Sequence, residues 1–148
     1  MLREINAAGL ALIKSFESCR LNSYQDQKGI WTIGYGHSAK IDPCVVEGMS
    51  INQDQAELYL KQDLAKFEQL DHYLAEHVND NQFSALVALA FNIGLPALKM
   101  STLIKDINAG NYADMAIQWK SWDHVDGVVN DGLRRRRIAE LELFRKLD

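Results

Sequence analysis

The sequence predicts an α+β fold that is mainly helical, with one small sheet near its start. Residues 24–38, YQDQKGIWTIGYGHS, combine Tyr, Trp, Ile and Thr with three glycines, which is typical of short twisted strands joined by tight turns. Most other apolar residues recur at the spacing of helices. The chain has 148 residues, 47% of them hydrophobic, and no repeat or low-complexity linker divides it. We therefore expect one domain over residues 1–148 that buries a substantial core.

The first predicted helix spans residues 3–16. Its apolar residues fall on one helical face: Ile5, Ala8, Leu12, Ile13 and Phe16. The helix is expected to end near Glu17, and the strand-like segment begins at Tyr24.

A long amphipathic segment follows the predicted sheet. Ser50 and Gln53 have the spacing of a capping box that would begin a helix. One apolar stripe continues along it: Leu60, Leu64, Phe67, Leu74 and Val78. A helix of about 28 residues would be roughly 42 Å long, more than the width of a small lobe. We therefore expect it to connect an N-terminal lobe of about residues 13–60 to a helical lobe of about residues 75–148, with a cleft between them and the first helix packed on the helical lobe.

The remaining segments are predicted to form the helices of the second lobe. Asn79 and Gln82 repeat the capping pattern before FSALVALAFNIG, which is apolar on most faces and ends at Gly94. Further helices are predicted over residues 101–109, 112–122 and 134–146. The core spacing of the second of these predicts three buried residues: Met115, Trp119 and Trp122.

Composition excludes several classes of function. A net charge of -4 argues against general attraction to nucleic acid or to anionic membranes. The longest apolar runs fall far short of the roughly 18 residues that a membrane span needs, and no small-residue cleavage site marks a signal peptide. Cys19 and Cys44 lack the number and spacing of a zinc site or a disulfide framework. We expect two unpaired thiols, no metal and no cofactor.

Glu17 and Asp26 are candidates for the carboxyl pair of a glycoside hydrolase. Such enzymes protonate the leaving oxygen with one carboxylic acid and use a second carboxylate to activate water or to attack directly. Glu17 is predicted at a helix end beside Phe16, where desolvation favours the protonated acid. Asp26 lies in a polar turn that suits an ionised carboxylate, and the Thr32 hydroxyl follows on the same ribbon. On residue types alone, ordinary surface carboxylates at a helix end and a turn are the stronger interpretation.

Spacing changes that balance. Eight residues separate Glu17 from Asp26 and five separate Asp26 from Thr32, within FESCRLNSYQDQKGIWTIGYGHS, which closely resembles the motif of the phage-type lysozymes. Further blocks resemble that family in the same order: NDNQFSALVALAFNIG, STL and GLRRRRIAELELF. The resemblance implies a lysozyme-like fold with a small α/β lobe, a long connecting helix and a larger helical lobe. It also implies that Glu17 donates the proton, Asp26 activates the water and Thr32 positions it.

The resemblance assigns roles to further residues. It places five at the saccharide cleft: Ser38, Phe91, Ser101, Thr102 and Gln118. Phe91, inside an apolar helix, fits a core position equally well. His37 is expected to brace the hairpin rather than to transfer a proton.

The resemblance also brings Arg134 near the catalytic glutamate. On the last predicted helix, Arg134 and Arg137 share the face of the apolar residues, namely Ile138, Leu141 and Phe144, whereas Arg135 and Arg136 point away. A solvated basic run fits the four consecutive arginines equally well.

The family implies a muramidase that cleaves the β-1,4 bond between N-acetylmuramic acid and N-acetylglucosamine, with inversion. It further implies a monomeric phage product, made in the bacterial cytoplasm, that reaches peptidoglycan strands in the periplasm after a holin opens the membrane. Stable membrane insertion is not expected. Two alternatives stay open. A lytic transglycosylase would not need Asp26, and a wall-binding protein without catalysis would keep the fold.

Overall fold

A computed structural model describes residues 2–147 of the chain. The helices are α1 (Ala7–Phe16), α2 (Gln53–Glu68), α3 (Asp80–Ile93), α4 (Leu95–Lys99), α5 (Thr102–Asn108), α6 (Met115–Lys120) and α7 (Asp131–Arg145), with a 3₁₀ helix at Gln69–Tyr73. The strands are β1 (Arg20–Gln25), β2 (Trp31–Gly34), β3 (His37–Ser38), β4 (His124–Val125) and β5 (Val128–Val129). The predicted α+β, mainly helical fold is confirmed. No helix within residues 2–147 is both long and apolar enough to cross a membrane.

The chain divides into two compact units. One comprises residues 13–66, and the other comprises the segment up to residue 12 together with the segment from residue 67 onward. The division falls inside α1 and inside α2.

The unit of residues 13–66 contains the antiparallel sheet β1-β2-β3. In its register Thr32 of β2 lies opposite Tyr24 on β1 and Ser38 on β3, whereas Ile33 lies opposite His37. Cross-strand partners share a face and neighbours along a strand alternate. Thr32, Tyr24 and Ser38 therefore share one face, and His37 lies on the other with Ile33, which is fully buried.

The start of α1 differs from the prediction. The helix begins at Ala7 because the Asn6 side chain accepts the Gly9 N–H at 2.9 Å, as an N-cap does. Ala8 is exposed and Phe16 is 37% exposed, so the predicted apolar face is only partly buried. Close packing rather than apolar area fixes this helix, since a Cβ at Gly9 would lie 2.8 Å from Ser84 Cβ.

The long connecting helix is shorter than predicted. Its capping box is formed by Asn52 and Gln55, two residues after the predicted pair. The Ser50 hydroxyl instead donates to Asn22 Oδ1, and the two residues also form an isolated β-bridge. The helix ends at Glu68, after which a 3₁₀ turn leads into extended backbone at Leu74.

A tertiary contact replaces the helical hydrogen bonds at this break. The Asn108 side chain donates to the Tyr73 carbonyl at 2.7 Å and accepts the Ala75 N–H at 2.8 Å. The apolar periodicity continues past the break because Leu70, in the 3₁₀ helix, and Val78, in irregular backbone, are both buried. Periodicity therefore predicted one helix where the chain forms two elements.

Helix α3 is the buried centre of the other unit, as predicted. Its capping box between Asn79 and Gln82 is present in both directions, and every residue from Phe83 to Ala90 is buried. It packs chiefly against α7.

Helix α7 buries charge that the sequence placed in solvent. Arg136, predicted to point away, is 4% exposed, whereas Ile138, predicted to face the core, is 38% exposed. The cause is Glu140, which is fully buried and accepts from Arg137 Nε at 2.7 Å and from the Trp119 indole at 3.1 Å. A buried carboxylate stabilises arginines on its own helical face, so the core stripe of α7 contains ions.

A second sheet was not predicted. Strands β4 and β5 form a two-stranded hairpin whose turn residues, Asp126 and Gly127, both have positive φ, of 51° and 79°. An Asp-Gly pair flanked by valines is a strong hairpin signal, and the sequence prediction assigned no element to this segment between the helices predicted over residues 112–122 and 134–146.

Candidate active site

Glu17 lies immediately after α1. Its backbone N–H donates to the Ile13 carbonyl at 2.9 Å, so the residue closes the last helical turn, and its side chain is half-buried. The fully buried Ile13 anchors this turn in the core of the unit. The position of the candidate acid is thus fixed by the helix rather than by a flexible loop.

Asp26 occupies the turn between β1 and β2. Its Oδ1 accepts the backbone N–H groups of Lys28 at 2.8 Å and Ile30 at 2.9 Å, and its carbonyl accepts the N–H of Gly29, whose φ is 77°. The hydrogen bond from the Ile30 N–H lowers the pKa of Asp26 below its usual value, and that from Lys28 adds to it against the opposing effect of burial. Asp26 is therefore ionised at neutral pH.

Thr32 is hydrogen-bonded to the same residue as Asp26, namely Ile30. Its Oγ1 donates to the Ile30 carbonyl at 3.0 Å, while the Ile30 N–H binds Asp26. The register places Asp26, opposite Ile30, on the sheet face that Thr32 occupies. Because the hydroxyl proton is used for Ile30, the oxygen of this 5% exposed side chain presents lone pairs. The turn thus provides two hydrogen-bond acceptors on one face.

His37 lies on the opposite face of the sheet. Its Nε2 is 2.8 Å from Asp42 Oδ2, its Nδ1 is 2.9 Å from Asp63 Oδ2, and its ring stacks on Tyr59 with centroids 4.1 Å apart. Burial opposes its charged form, but the hydrogen bonds to Asp42 and Asp63 outweigh this and raise its pKa. The ring connects β3, the loop that follows it and α2.

Ser38 has its hydroxyl engaged in a local turn. Ser38 Oγ accepts the Lys40 N–H at 3.1 Å, and the Ser38 carbonyl accepts the N–H of Asp42 at 3.0 Å. The residue therefore orders the loop that delivers Asp42 to His37, while its half-buried side chain shares the face of Thr32.

The other unit contains a pocket of about 300 Å³. Its lining includes three of the predicted saccharide-binding residues, and the full set is Ala97, Met100, Ser101, Thr102, Leu103, Gln118, Ser121 and Trp122. Phe91 is not part of it and packs edge-to-face on Phe67, with ring centroids 5.4 Å apart.

The polar residues of this pocket differ in which hydrogen-bonding groups they leave available to a ligand. Ser101 Oγ donates to the Leu98 carbonyl at 2.6 Å and accepts the Ile104 N–H, so it caps α5. Thr102 is exposed at the start of that helix. Gln118 donates through Nε2 to Asp106 at 2.8 Å, which fixes its amide orientation because a carboxylate accepts only.

Arg134 lies near Asp123, with Nε 3.8 Å from Oδ2 and 56% of its side chain exposed. The buried arginines of the run are Arg136 and Arg137. Among residues 2–147, no group of three or more His, Cys, Asp or Glu side chains has the arrangement of a metal site, and both cysteines are free thiols.

Comparison with known proteins identifies the family. The model of the phage lysozyme family matches residues 14–140. The endolysin of Bacillus phage B103 is 41% identical over 144 residues, which are 95% of this chain and 53% of that protein. The chain belongs to the phage lysozyme family.

Two further proteins are similar over nearly their full length. The endolysin of Acyrthosiphon pisum secondary endosymbiont phage 1 is 38% identical over 145 residues, 95% of this chain and 97% of that protein. The solved muramidase domain of SpmX from Asticaccaulis excentricus superposes with a TM-score of 0.86 at 34% identity, covering 98% of this chain and 100% of that domain. The predicted lysozyme-like fold and the predicted class, a glycoside hydrolase of the lysozyme type, are confirmed. The chain spans about half the length of the B103 endolysin but nearly all of the other two proteins.

Several residues around the site were not predicted. His37 is hydrogen-bonded to Asp42 and Asp63, which lie 5 and 26 residues away in the sequence. No short sequence motif predicts such contacts. Trp122 was predicted to be core, yet it is half-buried and lines the pocket. Its neighbour Trp119 is fully buried, so a helical pattern alone could not separate the two.

The His37 cluster predicts a pH-dependent contribution to stability. In the folded protein the pKa of His37 lies above the usual 6.5. Protonated His37 therefore stabilises the fold fully below pH 6.5, and this stabilisation is lost as the pH rises through the folded-state pKa. Asp42, whose pKa the His37 hydrogen bond lowers, is charged at about pH 5.5, whereas burial raises the pKa of Asp63, which therefore loses its charge before Asp42 as the pH falls.

We expect His37→Gln to lower the free energy of unfolding by about 2 kcal/mol at pH 5.5 and by clearly less at about pH 8.5. Urea denaturation at both pH values measures this. His72→Gln changes an exposed histidine of the other unit and serves as control. An equal loss at the two pH values would contradict a charged bridge.

Proposed function

We propose that the chain is an endolysin that hydrolyses the β-1,4 bond between N-acetylmuramic acid and N-acetylglucosamine in bacterial peptidoglycan. The observation that carries this is the link of Asp26 Oδ1 and Thr32 Oγ1 to the N–H and the C=O of one residue, Ile30. A surface aspartate that only shaped the turn would need no buried hydroxyl beside it. Family membership and the similarity to a muramidase domain support the same reaction.

The two acceptors suit a single attacking water. A water molecule that donates one hydrogen bond to the Asp26 carboxylate and one to Thr32 Oγ1 has its lone pair directed away from both. Asp26 then takes the proton as the water attacks the anomeric carbon, and its lowered pKa keeps it ready as a base at neutral pH. Direct attack by water inverts the anomeric configuration.

Glu17 supplies the other half of the reaction. Its side chain protonates the glycosidic oxygen as the bond to the anomeric carbon breaks, so that the leaving sugar departs as a neutral alcohol. Inversion requires the two carboxyl groups to lie roughly 6.5–9.5 Å apart on either side of the sugar. The anomer released first from a soluble wall fragment, observed by proton NMR, tests this geometry directly.

Saccharide contacts are proposed for both units separately. In residues 13–66, Ser38 shares the face of Thr32. In the other unit, Thr102 and Gln118 line the pocket, and the engaged hydroxyl of Ser101 makes it a supporting residue rather than a contact. Phe91 acts through its packing on Phe67.

His37 and Arg134 are proposed as supporting residues. His37 orders the loop that follows β3 through its contacts with Asp42 and Asp63. Arg134 lies near the 7% exposed side chain of Asp123. Neither residue is assigned a proton transfer.

As an endolysin, the protein would act on glycan strands of the cell wall. We infer synthesis in the host cytoplasm, passage to the periplasm through a membrane opened by a holin, and action as a monomer without cofactor or metal. Nucleic acid is not an expected partner, given the net charge of -4.

Mass spectrometry of digested peptidoglycan tests the proposed reaction. A muramidase yields muramic acid with a free reducing end, which borohydride converts to the alditol. Anhydro-muramyl ends would instead identify a lytic transglycosylase. Undigested wall in the presence of bound, folded protein would identify a wall-binding protein.

A further inference from the structure

Trp122 is an aromatic residue at a pocket that the sequence analysis assigned to saccharide binding. It follows α6, is half-buried, and lines the pocket of about 300 Å³. Among residues 2–147, its indole N–H has no hydrogen-bond acceptor, whereas the indole of Trp119 donates to Glu140. Trp119 is thus a core residue, whereas Trp122 lies half-buried at the pocket and its indole N–H is not used by the described residues.

The backbone of Trp122 is held by the buried ion pair of α7. Its carbonyl accepts Arg137 Nη1 at 3.1 Å, and Arg137 is fully buried on Glu140. Its N–H donates to the Trp119 carbonyl at 3.4 Å. The ring therefore stands on a rigid support, which reduces the entropy lost when a ligand packs against it.

The lining of the pocket is uncharged. Beside Trp122 it offers the side chains of Thr102, Gln118 and Ser121 together with the apolar residues Ala97, Met100 and Leu103. A volume of about 300 Å³ suits one sugar unit. No cation or anion is present to pair with a peptide carboxylate or an amine, so the chemistry favours a neutral, acetylated sugar.

We propose that Trp122 is a specificity-determining residue that binds an N-acetylglucosamine unit of the glycan, the apolar face of the sugar packing on the indole and its polar groups meeting Thr102 and Gln118. This rests on the proposed function, because it assumes a peptidoglycan substrate. It adds a residue that sets affinity for the glycan without taking part in the proton transfers.

Binding of chitotetraose, a tetramer of N-acetylglucosamine, tests the assignment without turnover. In the Glu17→Gln background, intrinsic fluorescence should change on binding, and Trp122→Phe should remove most of that change. Trp122→Ala should raise the Kd about tenfold, the effect of roughly one lost aromatic contact. The deacetylated tetramer should bind Glu17→Gln at least tenfold more weakly than chitotetraose.

Kinetics separate affinity from chemistry. In the otherwise unchanged chain, Trp122→Ala should raise KM on soluble peptidoglycan about tenfold and leave kcat within about twofold. Ile117→Ala, which alters a 76% exposed residue of α6 outside the pocket, is the matched control. Circular dichroism shows whether each variant is folded, and Trp122→Phe replaces Trp122→Ala if the latter is not.

The outcomes distinguish the two proposals. Wild-type Kd and KM in a folded Trp122 variant, with intact wall hydrolysis, would overturn this inference alone. Trp122-dependent binding of chitotetraose in a chain that never cleaves peptidoglycan would overturn the proposed function and support the sugar site.

Discussion

Glu17→Gln is expected to abolish measurable lysis of peptidoglycan, with a loss of at least about 10²–10⁴-fold in kcat. Glutamine has the shape of glutamic acid, but it cannot donate a proton to the glycosidic oxygen. The Glu17 backbone N–H bond to Ile13, which closes α1, does not depend on the side chain. The variant should therefore fold and bind glycan while its chemistry fails.

The measurement is the initial rate of turbidity loss of purified cell walls. Glu47→Gln removes the same charge from an exposed position in the same unit and should lyse walls normally. Binding of the Glu17→Gln variant to walls, measured by sedimentation, should match the unchanged chain. Lysis within a few-fold of the unchanged chain would remove Glu17 from the role of acid.

Local chemistry explains which parts of the site the sequence could predict. Asp26 and Gly29 define a tight turn through short-range hydrogen bonds, and β-rich residues flank it, so the hairpin and its carboxylate follow from neighbouring residues. The capping box at Asn79 is equally local. The spacing of Glu17, Asp26 and Thr32 then led to the family, which the comparisons confirm.

Long-range polar contacts explain what the sequence could not predict. The end of α2 depends on Asn108, which satisfies the backbone at Tyr73 and Ala75 from a different part of the chain. The burial of Arg136 depends on Glu140, whereas the apolar pattern of the last helix places Arg136 on the face away from the core. The surroundings of His37 and of Trp122 likewise include residues that are distant in the sequence and come together only when each unit folds.

Asp26→Asn is the second prediction with a large expected effect. Asparagine Oδ1 can accept the same two N–H groups, from Lys28 and Ile30, and asparagine is favoured in turns. The hairpin should therefore persist while the base is lost. If Asp26 takes the proton from water, kcat should fall about 10²–10⁴-fold.

The pH profile separates a base from a residue that only stabilises charge. The lowered pKa of Asp26 should give the unchanged chain an acidic limb in kcat/KM at low pH, where the carboxylate becomes protonated. Asp26→Asn should lack this limb, and Asp54→Asn, which removes an exposed charge from the same unit, should keep it. A loss of less than about tenfold with the acidic limb intact would leave Asp26 as a turn-forming residue. Asp26→Asn that releases anhydro-muramyl products at the normal rate would show that the sugar itself supplies the nucleophile, and Thr32 would then have no water to position.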